Sequence, residues 1–187
     1  MEWEAIYKVH WRPFCHTQKT YDLSHLHPQS VVYTQPAKGE RPECQYTVYV
    51  RYSLHCFTRG LRVGEAPDPD LLYTHDRDTR VFDFQRWELS HYLPGIIQAL
   101  PQRKCYHTGK GNFFTIEVID QLGNKVDYEV FFDTYLGRTA KKAVLNLFVQ
   151  SAYVRDWAHS NRPHTKPIGF NIILYNVLHG KEIKVPK

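Results

Sequence analysis

The chain has 187 residues, 42% hydrophobic, 23% charged and 14% aromatic; 24 Lys+Arg against 19 Asp+Glu give a formal net charge of +5, with eleven His besides. Intrinsic disorder is excluded by the aromatic content and modest charge, and no stretch approaches the roughly 20 uninterrupted apolar residues of a membrane helix. The length suits one domain.

Met1 to His10 carries two Glu and no apolar run leading into small residues. No secretory signal is therefore expected, and a reducing cytoplasm is the expected home of Cys15, Cys44, Cys56 and Cys105. Three of these thiols neighbour histidine (Cys15-His16, His55-Cys56, Cys105-Tyr106-His107), and thiolate with imidazole is a ligand set zinc favours. The pairs are adjacent or one apart and far from each other, so buried free thiols are expected, with no metal and no cofactor.

In chain order, residues 1–42 read as an irregular N-terminal segment. Strand-like runs at Ala5 to His10 and Ser30 to Thr34 flank a polar stretch, and Gln35-Pro-Ala-Lys-Gly-Glu-Arg-Pro42 is a loop. Residues 43–187 read as a single α+β domain. Gln45-Tyr-Thr-Val-Tyr-Val-Arg-Tyr52 is rich in β-branched and aromatic residues and predicts a strand. A short strand at Leu71 to Thr74 follows, and Asp76-Arg77-Asp78-Thr79-Arg80 reads as a turn with local salt bridges. Asp83 predicts a helix cap, with Leu89, Leu93, Ile96, Ile97 and Leu100 at helical spacing. Pro94-Gly95 should kink or split this helix, the only substantial one expected, and Pro101 should end it.

Strands are then expected at Asn112 to Asp120, Val126 to Leu136, Val144 to Arg155 and Ile168 to Val177, with a short one at Glu182 to Val185. Gly137 to Lys142 is a basic connection. The fold expected is an antiparallel meander with one kinked helix on its apolar face. Period-two reading places Val126, Tyr128, Val130 and Phe132 with Leu145, Leu147 and Val149 on that face. The other face would hold Glu129, Phe131 and Asp133, joined by Phe113, Thr115 and Glu117. Its mixture of carboxylates and aromatics makes it the candidate binding face. Ser151, Tyr153 and Arg155 fall in the apolar register, where a bulge could re-aim them.

His107-Thr-Gly-Lys-Gly-Asn112 is the most suggestive loop: glycines let backbone N–H groups approach an oxyanion, Lys110 adds charge and His107 could move a proton. As a hairpin connection it needs no function at all. Tyr153 could stack a base, and Arg155 could bind phosphate. Arg138, Lys141, Lys142 and Arg162 would extend a phosphate-binding rim, whose bland alternative is solubility charge.

Several runs, among them Ser53-Leu-His-Cys-Phe-Thr58, Tyr73-Thr-His-Asp-Arg-Asp-Thr-Arg80, Tyr128-Glu-Val-Phe-Phe132 and Leu147-Phe-Val-Gln-Ser-Ala-Tyr-Val-Arg-Asp156, resemble an uncharacterised bacterial family. Its members are often carried on mobile elements and are labelled heat-shock or stationary-phase growth adaptation proteins. The order of helix then meander, over roughly residues 83 to 178, also resembles the metal-independent ribonucleases of the barnase, colicin and RelE group. That likeness is topological. The leading expectation is a cytoplasmic RNA-directed protein, with ribonuclease chemistry on His107 as acid or base, Glu117 or Glu129 as its partner, and Arg155 and Lys110 on the phosphate. The alternative is a non-enzymatic module of a mobile element that binds a protein through its aromatic face.

Overall fold

The computed structural model describes residues 10–121, 124–138, 143–155 and 166–185, with backbone alone at 120, 121, 124 and 138. The strands are β1 (Phe14–His16), β2 (Lys19–Tyr21), β3 (Gln29–Gln35), β4 (Cys44–Tyr52), β5 (Thr58–Arg59), β6 (Leu72–His75), β7 (Asp78–Phe82), β8 (Lys104–His107), β9 (Phe113–Gln121), β10 (Asn124–Arg138), β11 (Ala143–Val154) and β12 (Ile168–Gly169). The helices are α1 (Phe84–Ser90), α2 (Leu93–Gln98) and α3 (Phe170–Leu178). Among the described residues no helix is long and apolar enough to cross a membrane.

Seven strands form the main sheet in the order β12-β8-β9-β10-β11-β4-β3, beside a three-stranded sheet β5-β7-β6 and the hairpin β1-β2. The mixed α+β class agrees with the sequence, and the antiparallel hairpins β9-β10 and β10-β11 fall where turn chemistry put them. The simple meander does not hold. β4 runs parallel to β11, Val48 beside Leu145 and Val50 beside Leu147, so the sheet is mixed. A parallel pair needs a long crossover, here the chain from residue 53 to 142, and no local pattern reports such a pairing. β3 pairs with β4 along its whole length, while Trp11, Phe14, Tyr21, Leu23 and Leu26 join the same apolar core as Leu147 and Val149.

Asp83 caps α1 as expected, its carboxylate accepting from the Arg86 N–H at 3.0 Å. Pro94 sits in the first turn of α2, where its missing N–H costs nothing, and the expected single helix is split in two. The expected strand from Ile168 to Val177 is helical beyond Gly169. Phe170, Ile173 and Leu174 are buried while Ile172 is 57% exposed, a 3.6-residue period that Ile-rich composition disguised. Just beyond Leu178 the chain leaves the helix through Gly180, whose φ of +61° lies in the left-handed region and whose N–H donates to the Val177 carbonyl. No strand forms at Glu182 to Val185. Ala5 to Val9 and residues 139–142 lie outside the described residues.

α2 and α3 lie on the face expected to be covered. Tyr33 Oη donates to the Ile97 carbonyl at 2.8 Å, and the Phe170 ring meets Tyr33 and Phe132 at 5.0 and 6.1 Å. Tyr128, Val130, Phe132, Leu147 and Val149 are all completely buried there. The register between β10 and β11 shifts between Phe131 and Phe132, which leaves Gln150 as the bulge. Beyond it Ala152 enters the core, and Tyr153 lies opposite Glu129 on the other face.

Candidate anion-binding cleft

Cross-strand partners share a face, so register locates each candidate residue. His107 pairs with Phe113, and Phe113 with Phe132, so His107 lies on the helix-covered face. Glu117 pairs with Tyr128 on that face too. The expectation that Phe113, Thr115 and Glu117 join the mixed face is thus corrected: Phe114, Ile116 and Val118 do. In the β9–β10 register the odd-numbered residues of β9 stand opposite the even-numbered, covered residues of β10, Thr115 beside Val130 and Glu117 beside Tyr128.

Glu129 and Arg155 lie on the opposite face, joined to each other. One guanidinium nitrogen meets both Glu129 oxygens at 2.9 and 3.1 Å, with the Glu129 side chain fully buried and that of Arg155 14% exposed. Glu117 instead pairs with Arg103. The sheet therefore separates His107 from Glu129 and Arg155, and Glu117 is held in its own ion pair. These four residues do not form an acid–base centre.

Tyr153 is not an open stacking platform. Its ring stacks on Phe131 at 5.5 Å, and the Arg86 guanidinium lies over it at 5.2 Å. Phe131 in turn stacks on Phe114 and Phe114 on Tyr106, a ladder of four rings across β8, β9, β10 and β11. Arg86 is fixed by donating to the His55 and Thr58 carbonyls. The ladder ties the strands together. The Arg138 side chain and Lys141, Lys142 and Arg162 lie outside the described residues.

The glycine loop has the more promising surroundings. Gly109 and Gly111 adopt φ of +85° and +88°, conformations that glycine reaches without strain. The Gly109 N–H donates to His107 Nδ1 at 2.8 Å, which puts the neutral ring's proton on Nε2. Lys110 projects at the exposed tip. Beside this hairpin, the segment after α3 walls off a cleft of about 440 Å³, lined by His107, Gly109, Gly111, Thr134, Lys181 and Lys184, with Glu182 as its acid. The Thr134 hydroxyl is buried there without a hydrogen-bond partner among the described residues. Two lysines, a histidine and an unsatisfied hydroxyl in the lining suit a small oxyanion such as one phosphate, with the Lys181 ammonium resting over the Tyr175 ring at 4.9 Å beside the cleft. Sequence reading found His107 and Lys110. It missed Lys181 and Lys184 because reading residues 168–177 as a strand hid where the chain after Gly180 returns.

Two further groupings are inert. His25 Nε2 lies 2.7 Å from Ser90 Oγ, a dyad on paper, but Ser90 is wholly buried and its hydroxyl donates to the Trp87 carbonyl at 2.6 Å. Burial pushes the Cys56 and Cys105 thiols up to about 12, far from thiolate reactivity. Among the described residues no three His, Cys, Asp or Glu gather as metal ligands would.

The YjaZ family model matches residues 13–178. The chain belongs to the YjaZ family. Protein YjaZ of Escherichia coli (strain K12) is 35% identical over 179 residues, covering 94% of this chain and 95% of that one. No solved structure matches. The family match spans β1 to the end of α3, so it takes in the hairpin of the cleft but stops short of Lys181 and Lys184.

Proposed function

We propose that this YjaZ-family protein is a cytoplasmic RNA-binding protein that seats backbone phosphate in the cleft between the His107–Phe113 hairpin and residues 181–185. The observation that carries the reading is the convergence of His107, Lys181, Lys184 and the unpartnered Thr134 hydroxyl beside a glycine-rich turn. Lys110 at the rim and a net charge of +5 favour a polyanion over a single small anion. The role proposed is binding; Glu117 and Glu129, the partners suggested for His107 by the sequence, are held in ion pairs with Arg103 and Arg155.

Fluorescence anisotropy of a single-stranded RNA oligonucleotide across a salt series tests it. Three lysine–phosphate contacts should give a slope of log affinity against log salt of about −2, from about −0.7 per contact. Lys181→Glu with Lys184→Glu should abolish binding, and Lys110→Ala should flatten the slope by about 0.7. No binding by the unaltered protein even at low salt would overturn the reading. The protein-binding alternative, a module of a mobile element, has the outward side of α3 in its favour, where Ile172, Tyr175 and Leu178 are exposed. Loss of a partner on Tyr175→Glu, with RNA affinity absent, would favour that alternative.

A further inference from the structure

The two edges of the main sheet are treated differently. At one edge β8 is covered by β12, which pairs through Ile168 and Gly169 and leads directly into α3. At the other, β3 pairs with β4 on one side, and among the described residues no strand pairs with its outer side. Unpaired edges expose rows of N–H and C=O groups, and monomeric proteins blunt them with charges, prolines or bulges. β3 has none of these. Its sequence, Gln-Ser-Val-Val-Tyr-Thr-Gln, carries no charge, and its register with β4 is regular over all seven residues. Pro28 and Pro36 bracket it without interrupting it. The strand is held firmly from within, because Tyr33 is buried and its hydroxyl is bonded to α2. Val32, on the other face, is 57% exposed.

We propose that β3 is a dimer edge, pairing antiparallel with β3 of a second copy of this chain about a two-fold axis at Val32. In that register Val32 faces Val32 of the other copy, Val31 faces Tyr33, Ser30 faces Thr34 and Gln29 faces Gln35. At the axis the exposed Val32 meets its own copy, and the exposed Ser30 and Thr34 place hydroxyl beside hydroxyl, while Tyr33, Gln29 and Gln35 stay bonded within their own chain. No like charges meet. The symmetry is isologous, so the assembly closes at two copies and joins the two main sheets edge to edge.

Light scattering over a concentration series should find a dimer for the unaltered protein and a monomer for Val32→Lys, which opposes two ammonium groups at the axis. Circular dichroism should be the same for both, because the side chain is exposed. In a Cys15→Ser, Cys44→Ser background, Val32→Cys should oxidise to a covalent dimer and Ser30→Cys should not, since Ser30 faces Thr34. A monomer at every concentration, or a dimer that survives Val32→Lys, overturns the proposal. Cross-linking through Ser30→Cys instead of Val32→Cys overturns the two-fold register.

Discussion

The two faces of the main sheet are stabilised by different means. On the helix-covered face, Tyr128, Val130, Phe132, Leu147 and Val149 have left water entirely, and area burial does the work. On the opposite face the same strands carry a buried ion pair, Glu129–Arg155, and a ladder of stacked rings. Apolar burial has no direction, whereas an ion pair and a ring stack hold only in one geometry. The first face supplies most of the cohesion and the second fixes how β10 and β11 align, with the bulge at Gln150 as the place where the two demands are reconciled.

Substitutions on the two strands can break this contrast. Arg155→Ala should cost the most, about 3–5 kcal/mol in a denaturant titration, because it removes the guanidinium bonded to both oxygens of the buried Glu129 carboxylate. Leu147→Ala on the other face should cost about 2–5 kcal/mol by leaving a cavity. If Arg155→Ala costs no more than a surface change, the ion pair does not anchor its face.

Acid should act on the two sides with opposite sign. His25, in the turn against the end of α1, is held down to about 4, first by burial and then by the His91 ring stacked on it at 3.9 Å, with His27 adding to the effect and Asp22 opposing it. Its folded form binds fewer protons than the unfolded chain, so its stabilisation is complete above about pH 6.5 and is lost as pH falls towards 4. Allowing for solvent screening of a half-buried ring, the loss should be about 1–2 kcal/mol. Asp133 on the mixed face is shifted upward by burial, so its folded form holds protons better and acidification favours folding there. Thermal unfolding across pH 4 to 7 should therefore show a steeper acid loss in Asp133→Asn than in the unaltered protein, and a shallower one in His25→Gln. Equal slopes in all three would mean that neither group controls acid stability.

The smallest effect sharpens the picture of the covered face. The Tyr128 hydroxyl is buried with no hydrogen-bond partner among the described residues, and burial holds its pKa well above the ordinary phenol value. Tyr128→Phe should thus stabilise, by about 1 kcal/mol, visible as a raised melting temperature. A loss instead would reveal a partner for that hydroxyl.

Much of the fold could be read directly. Asp83 announced a cap, Pro94 a break, and the alternation in β10 and β11 the covered face, because each depends on neighbours within a turn or a strand. Even the re-aiming of Tyr153 was foreseeable, since its strand could not otherwise keep a polar residue out of the core. The face of β9 was not: a shift of one residue in hairpin register reverses every side chain, and it is the pairing of Glu117 with Tyr128 across β9 and β10 that sets it. The candidate site divides in the same way. His107 and Lys110 stood out by residue type and glycine spacing, but Lys181 and Lys184 did not, because an Ile-rich segment that folds as α3 has the composition of a strand.

By itself, the sequence determined the cap at Asp83, the break at Pro94 and the covered side of β10 and β11, since those follow from capping, proline geometry and the period of apolar side chains. Tertiary structure alone decided that β4 lies parallel to β11, that the sheet stands between His107 and Glu129, and that the chain after Gly180 closes a cleft against the hairpin. These are contacts between segments tens of residues apart. Their energy is shared among many weak interactions, and no short run of residues records it.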